Sequence, residues 1–397
     1  MLIAPQRLTS RVKFGAPIEK PKSTVGSMGV HAHAYRAKDA FDPLVDETDL
    51  DQIQYAGIKV VRSDCLWGAV EKSPGVYDFS KYDRWVEALI ARGLKPMMIL
   101  GLGNGEIHGG PAGLTINHAG IRKGFNNYAK AAVSHFKGKG VIWELIQQPN
   151  HEFFWQPKPD ATAYAKLANE LLPELKKLDP SASFVAPSIA GHDLAYQESV
   201  YKSGLLEHVD AVSVHPFRGV SRMPESIETN YKKSQALVKQ YAPKGKDIPV
   251  LLGEWGYNSV EIDQQTQANY AQRQMLMGMM LGAPVNIWFN WKGDIMNQTD
   301  DPNNPEQQYG LVRATTRETK PSYAALHTLY RALAGQHFIE RLPSTPNDYL
   351  LRFKGPNKQT LVAWTCGQSH VIPAPKGVQT GTVQLTLTGK PAFLDLG

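Results

Sequence analysis

The sequence predicts an α/β fold, a (β/α)8 barrel followed by a small antiparallel β-domain. Eight short apolar runs alternate with amphipathic helical stretches, no glycine-rich phosphate loop follows the first run, and the periodicity changes after Gly335. The runs, rich in Val, Ile and Leu, lie at 26–32, 57–62, 94–100, 140–146, 183–187, 209–215, 248–254 and 285–291. Near-continuous apolar runs of this length suit parallel strands buried on both faces. Helical stretches such as Tyr82–Arg92, Gly120–Phe136, Thr162–Leu178, Ile227–Tyr241, Gln265–Leu281 and Pro321–Leu333 follow them. Asp160 is placed to N-cap the Thr162 helix and Gly93 to close the Tyr82 helix. So many strand–helix repeats favour a closed barrel over a doubly wound sheet.

Three regions follow from this pattern: an N-terminal extension at 1–25, the barrel at 26–334, and a β-sandwich-like accessory domain at 335–397. In the last, Tyr349–Lys354, Thr360–Thr365 and Thr382–Leu387 alternate as strands do, with turn residues between them. Part of Arg7–Gly15 is a candidate extra strand of that domain.

A chain of 397 residues, 42% hydrophobic and 20% charged, has the length and composition of such a barrel plus an appendage. The net charge of +6 hints at an acidic partner such as an anionic glycan, although a basic but evenly mixed surface is the favoured reading, and no Lys/Arg run with interleaved aromatics marks a nucleic-acid surface. With only Cys65 and Cys366, a disulfide framework is excluded, and Cys65 reads as a small buried filler. No apolar run is long enough to span a membrane, and residues 1–21 hold no apolar signal core.

Reactive residues of such barrels sit at the C-terminal ends of the strands. The fourth run ends in Trp143-Glu144-Leu145-Ile146-Gln147-Gln148-Pro149-Asn150 and the seventh in Leu251-Leu252-Gly253-Glu254-Trp255-Gly256-Tyr257. These ends face each other across the barrel mouth, as glycoside cleavage with retention requires of two carboxyl groups about 5–5.5 Å apart. Glu254 supplies one, since a glutamate is rarely buried without a partner. Arg62, His215 and Trp291 end the second, sixth and eighth runs. Each also has a plain structural reading: a rim ion pair, a satisfied core imidazole, simple packing.

These segments resemble the signatures of clan A glycoside hydrolases, and of family 39 most. The fourth-run segment resembles the acid/base motif Trp-Glu-Leu-x-Asn-Glu-Pro-Asn, and 149–157 resembles its continuation in the exopolysaccharide hydrolases of that family. Residues 212–217 and 253–256 resemble the strand-six and strand-seven signatures, and 309–311 with 320–323 the stretch after strand eight. The resemblance covers roughly residues 26–334 and, more loosely, the tail. It implies Glu254 as nucleophile, position 148 as acid/base, Arg62 as electrostatic support, His215 as part of the reacting subsite and Trp291 as a sugar platform. Gln147, Phe217 and Tyr257, with the loop aromatics Trp67, Phe154 and Trp155, complete the expected sugar-binding surface.

The chain departs from the motif at the acid/base itself, with Gln147-Gln148 where the family has Asn-Glu. An amide has no proton to give a leaving oxygen, and general acid/base catalysis contributes about 10²–10⁴-fold, so hydrolysis of unactivated glycosides is expected to fall by that order. A near-isosteric change beside an intact Glu254 favours a deliberate Glu-to-Gln replacement over a natural pseudo-enzyme; Gln147 fits that reading less well. Neither Glu144, deeper in the strand, nor Glu152, in the following loop, fits the vacant role.

The expectation is a retaining glycoside hydrolase acting by double displacement on a polysaccharide or oligosaccharide, endo-acting on an exopolysaccharide and crippled at position 148. It is expected to be a secreted or periplasmic monomer with no cofactor and no metal. The alternatives are a non-catalytic glycan-binding module and an exo-acting β-xylosidase-like enzyme. A metal-dependent hydrolase built on His31, His33 and His215 lacks the strand-end Asp/Lys set of a binuclear site. Loops Gly101–His118 and His151–Pro159 are expected to shape the cleft.

Overall fold

The computed structural model describes residues 18, 24–33, 46–101, 103–110, 116–293, 301–375 and 384–396. Eight strands form a closed barrel: β1 (Met28–His31), β2 (Val60–Leu66), β3 (Lys95–Gly101), β4 (Ile142–Leu145), β5 (Ser183–Ala190), β6 (Ala211–His215), β7 (Val250–Trp255) and β8 (Asn286–Trp288). Every neighbouring pair is parallel, and β8 closes on β1. A main helix follows each strand, α1 (Glu47–Tyr55), α2 (Ser80–Ala91), α3 (Ala119–His135), α4 (Ala161–Leu178), α5 (Leu194–Tyr201), α6 (Glu228–Tyr241), α7 (Gln264–Leu281) and α8 (Pro321–Leu333), and a further one-turn helix, Trp67–Val70, comes directly after β2.

The local chemistry at the helix ends is as the sequence predicts. Asp160 Oδ1 accepts from Ala163 N at 2.9 Å and starts α4. Gly93, at φ 69°, takes the left-handed turn that ends the chain path of α2. Helices α1 and α5 lie outside the helical stretches read from sequence, as does a hairpin of Glu71–Ser73 with Val76–Tyr77. At 9 and 8 residues, α1 and α5 hold too few apolar repeats to show a period.

The barrel interior is layered. Val60, Met97, Ile142, Val185, Ala211, Leu251, Val285 and Ile287 form an apolar plug low in the barrel. Above it the inward side chains turn polar: Arg62, Glu144, Ser188, Ser213 and His215 are all buried. Buried charges persist only when paired, so this upper layer must be a network.

The tail is a four-stranded antiparallel sheet in the order β9 (His337–Arg341), β10 (Asp348–Lys354), β11 (Gln359–Thr365), β14 (Ala392–Asp395), with a separate ribbon of β12 (His370–Pro373) and β13 (Gln384–Leu387). It is tied to the barrel by Glu225, a buried carboxylate just ahead of α6. Glu225 accepts from Arg273 Nε and Nη2 at 2.6 Å each, and from Trp364 Nε1 of β11 at 2.8 Å. The candidate strand at Arg7–Gly15 lies outside the described residues. Both cysteines are free; Cys65 is buried in β2, where burial pushes its thiol up to about 12. Among the described residues, no helix is long and apolar enough to cross a membrane.

Candidate active site

The carboxylate end of the site is organised by Arg62 of β2, which is wholly buried. Glu144 of β4 grips it at two points, accepting from Nε at 2.8 Å and from Nη2 at 2.7 Å. That grip fixes the guanidinium plane and aims Nη1 at Glu254 of β7, with which it forms a buried ion pair. Nη1 also lies 2.8 Å from His31 Nδ1, and Nη2 donates to Gln147 Oε1 at 2.9 Å. One cation thus gathers β1, β2, β4 and β7. Burial opposes its charge, but Glu144 and Glu254 outweigh that and hold Arg62 above its ordinary value.

Glu254 ends β7 with its side chain still 11% exposed, the part that faces the mouth. Burial raises its carboxyl above the ordinary value; Arg62 pulls it down and Glu144 pushes it up. Gly253, just before it, has no room for a side chain: a Cβ there would meet Ser213 Oγ at 2.1 Å and His215 Nε2 at 2.9 Å. Glycine therefore lets β7 lie close against β6 and brings Glu254 beside His215.

Across the mouth, Ile146 and Gln148 adopt left-handed backbone, φ 54° and 48°. Such conformations cost a β-branched or long residue about 1–3 kcal/mol and persist only where the surroundings impose them. Here Gln148 N donates to Ser188 O at 2.6 Å, and Asn150 bonds both ways to Ala190, at 2.8 and 3.0 Å. The turn breaks strand alternation, so the adjacent Gln147 and Gln148 both reach the site. Gln148 Nε2 donates to His215 Nδ1 at 2.9 Å, which leaves the proton of His215 on Nε2, 2.8 Å from Ser188 Oγ. Burial, and then Arg62, lowers His215 well below its ordinary value, so the ring is neutral. The same Nδ1 stands 4.0 Å from Glu254 Oε2. His215 is therefore the shared neighbour of positions 148 and 254.

The structure brings Glu254, Gln148, Arg62, Gln147 and His215 together, with Phe217 at the rim, 38% exposed. The other aromatics expected on the sugar surface face elsewhere. Trp67 is fully buried, bonded to Glu71 and stacked on His108 and Tyr128. Trp155 is buried against Tyr164, and Tyr257 packs on Tyr270 while its hydroxyl bonds Arg222 O at 2.9 Å. Trp291 is buried with its Nε1 on Asp49 Oδ1 at 3.1 Å. These four correct the expectation that they line the cleft: each indole or phenol is drawn outward to a partner among the helices and loops.

Two other aromatic residues lie past strand ends. Phe289, just past β8, is half-buried among His31, Phe217 and Tyr309, with centroids 5.4–5.6 Å away. Phe153, beyond the acid/base turn, is 64% exposed and rests edge-on against Phe154, which is half-buried. Glu144, buried deep as the sequence predicts, gains its importance from gripping Arg62, a pairing across 82 residues that no local pattern reveals.

His31, His33 and Asp64 also converge, with His33 Nδ1 3.2 Å from both His31 Nε2 and Asp64 Oδ2; His215 is not part of this group. Arg62 can only donate, so His31 Nδ1 accepts and its Nε2 carries the proton. The His31 nitrogen in this group is thus not a free metal ligand, and the cluster reads as a hydrogen-bonding surface at the mouth.

The model of one family, cellulase (glycosyl hydrolase family 5), matches residues 18–294. Among curated proteins none matches. Several solved structures share the fold. A family 39 glycoside hydrolase from the gut symbiont Bacteroides cellulosilyticus WH2 has a TM-score of 0.79 at 23% identity, over 96% of this chain and 82% of that one. A GH39 enzyme from Xanthomonas axonopodis pv. citri has a TM-score of 0.64 at 17% identity, over 93% and 76%. A GH39 β-xylosidase from Caulobacter crescentus has a TM-score of 0.63 at 18% identity, over 91% and 81%.

Proposed function

Because the chain belongs to the cellulase (glycosyl hydrolase family 5) family, and within clan A is most like family 39, we propose that Glu254 is the nucleophile of a retaining double displacement and that Gln148 holds the acid/base position. The observation that carries this reading is the contact of one neutral imidazole nitrogen, His215 Nδ1, with both side chains. An amide and a carboxylate that both lie close to one atom are in keeping with the closely spaced pair of a retaining enzyme.

In the first step a Glu254 oxygen attacks the anomeric carbon, forms a glycosyl ester and expels the leaving oxygen. Arg62 holds Glu254 ionised and in place against the cost of burial. Phe289 offers the reacting sugar an apolar face, and the part-exposed His33, held by His31, offers it a polar edge. The leaving oxygen needs a proton, which the Gln148 amide does not have. Leaving groups that depart as stable anions escape this requirement; ordinary sugars do not. In the second step, water attacks the ester and needs a base at the same position, so the intermediate accumulates.

The substrate we infer is a polysaccharide or oligosaccharide, cut internally. Exposed Phe153 supports this, since it gives a further sugar unit a stacking face beyond the acid/base turn. The test is covalent labelling of the unaltered chain with 2,4-dinitrophenyl 2-deoxy-2-fluoro glycosides of the gluco, manno and xylo series. One of them is expected to add a sugar mass to the peptide bearing Glu254. Labelling on another residue, or none from any of the three, overturns the assignment.

A further inference from the structure

Two side chains beside the acid/base turn keep buried nitrogens that have no hydrogen-bond partner among the described residues. Arg218, three residues past β6, keeps Nε and Nη2 buried, and among the described residues neither has a hydrogen-bond partner. On a guanidinium these two groups share one edge and point the same way, the fork that takes a carboxylate or sulfate through two bonds. His192, two residues past β5, keeps Nε2 buried and unpartnered, while its Nδ1 lies 3.4 Å from Ser234 Oγ of α6. The two are electrostatic neighbours: burial first, and then the charge of Arg218, brings His192 down to about 4.

Among the described residues, no carboxylate is paired with Arg218 to offset this. Burial pulls Arg218 below its ordinary value, the Tyr257 phenol opposes that, and Arg222 on the same loop adds to it. The contrast with Arg62 and Arg273 is direct, because each of those closes its fork on a buried glutamate. A guanidinium edge turned inward without an acceptor is a standing cost to the free protein, and an arriving oxyanion would remove it.

The place is informative. Asn150 ties the acid/base turn to Ala190 at the end of β5, and Gly191 N donates to His215 O of β6 at 2.9 Å. The seam holding Arg218 and His192 therefore flanks the Gln148 side of the mouth rather than the Glu254–Arg62–His31 side. We propose that Arg218 and His192 form a subsite for an oxyanion, carboxylate or sulfate, carried by the sugar on the leaving-group side, so that the substrate is an acidic polysaccharide. This rests on the reading of position 148 as the acid/base. The 217–223 loop that carries Arg218 is exposed at Phe217, Gly219 and residues 221–223, so the fork lies beneath a solvent-facing loop.

The test is thermal melting of the unaltered chain, Arg218→Met and Arg218→Lys in sodium glucuronate, sodium sulfate or sodium chloride at matched ionic strength. Glucuronate or sulfate is expected to raise the melting temperature of the unaltered chain beyond chloride. The half-saturating concentration should rise at least tenfold in Arg218→Met, and also in Arg218→Lys, which keeps the charge but loses the fork. In chloride alone, Arg218→Met should melt no lower than the unaltered chain. A response to glucuronate alone identifies a uronate, and to sulfate alone a sulfate ester. No excess over chloride for either anion, or an equal excess in both variants, overturns the proposal. So does a fall in melting temperature of Arg218→Met in chloride, which would mark the guanidinium as structural. Labelling of Glu254 by fluorosugars is independent of Arg218, so failure here and failure of the glycosidase reading are separate results.

Discussion

The two sides of the barrel mouth meet opposite electrostatic conditions. On the side of β1, β2 and β7, a buried cation lies between Glu254 and Glu144, the latter reaching across from lower on β4, and every charge has a partner at hydrogen-bond distance. On the side of β4, β5 and β6, the chain Gln148–His215–Ser188 is neutral throughout, with the same short contacts. On the proposed reading, the first side would attack an anomeric carbon. The second would take the proton-transfer role, for which the Gln148 amide has no proton to give. Position within the fold and chemical competence are therefore separate properties: the backbone strain at Ile146 and Gln148 sets the place, and one side-chain atom sets the chemistry.

The comparison is broken most directly at Glu254. In a chain carrying Gln148→Glu, adding Glu254→Gln is expected to lower kcat on the order of 10⁶-fold, the scale seen when a covalent nucleophile is lost. A fall of tenfold or less would show that the two sides are not a nucleophile and its acid. Arg62→Met comes next. It leaves Glu144 and Glu254 buried without their cation, so unfolding in denaturant should show a loss of about 3–5 kcal/mol. An unchanged midpoint and slope would mean the charges are not held as the structure places them.

Acidity sharpens the contrast. Only ionised Glu254 attacks, and burial raises its carboxyl above the ordinary 4.5. The rate of fluorosugar labelling should therefore fall as pH drops through a midpoint above 4.5. No second ionisation should enter from the neutral side, where Gln148 does not titrate and His215 is already uncharged. A limb at or below 4.5 would contradict the assigned environment. The smallest effect is expected on the platform: Phe289→Leu should weaken glycan binding several-fold, the worth of about 0.5–1.5 kcal/mol of ring contact. Trp67→Phe should leave it unchanged, because Trp67 faces Tyr128 and His108 instead of the mouth.

The barrel was legible in the sequence because parallel strands buried on both faces must be apolar throughout, and strand ends then name the positions to inspect. Glu254, Gln148 and His215 lie at or just past such strand ends, whereas Arg62, read as the end of its run, sits inside β2, which continues to Leu66. What was not legible is direction. Trp67 and Trp155 are tryptophans past strand ends, yet Glu71 holds the indole of one and Tyr164 packs against the other, while the smaller Phe289 stands beside His31 and Phe153 stays exposed. A residue type says what a side chain can do, and only its contacts say which way it turns. The role of Glu144 was hidden for the same reason, since its partner lies on another strand.

The most direct test is Gln148→Glu, measured against the unaltered chain on a glycoside with a poor leaving group and on its 2,4-dinitrophenyl counterpart. Restoring a carboxylic acid beside His215 Nδ1 is predicted to raise kcat/KM on the poor leaving group by about 10²–10⁴-fold, and to change the dinitrophenyl glycosylation step little. No gain on any poor-leaving-group glycoside that the protein binds would contradict the account.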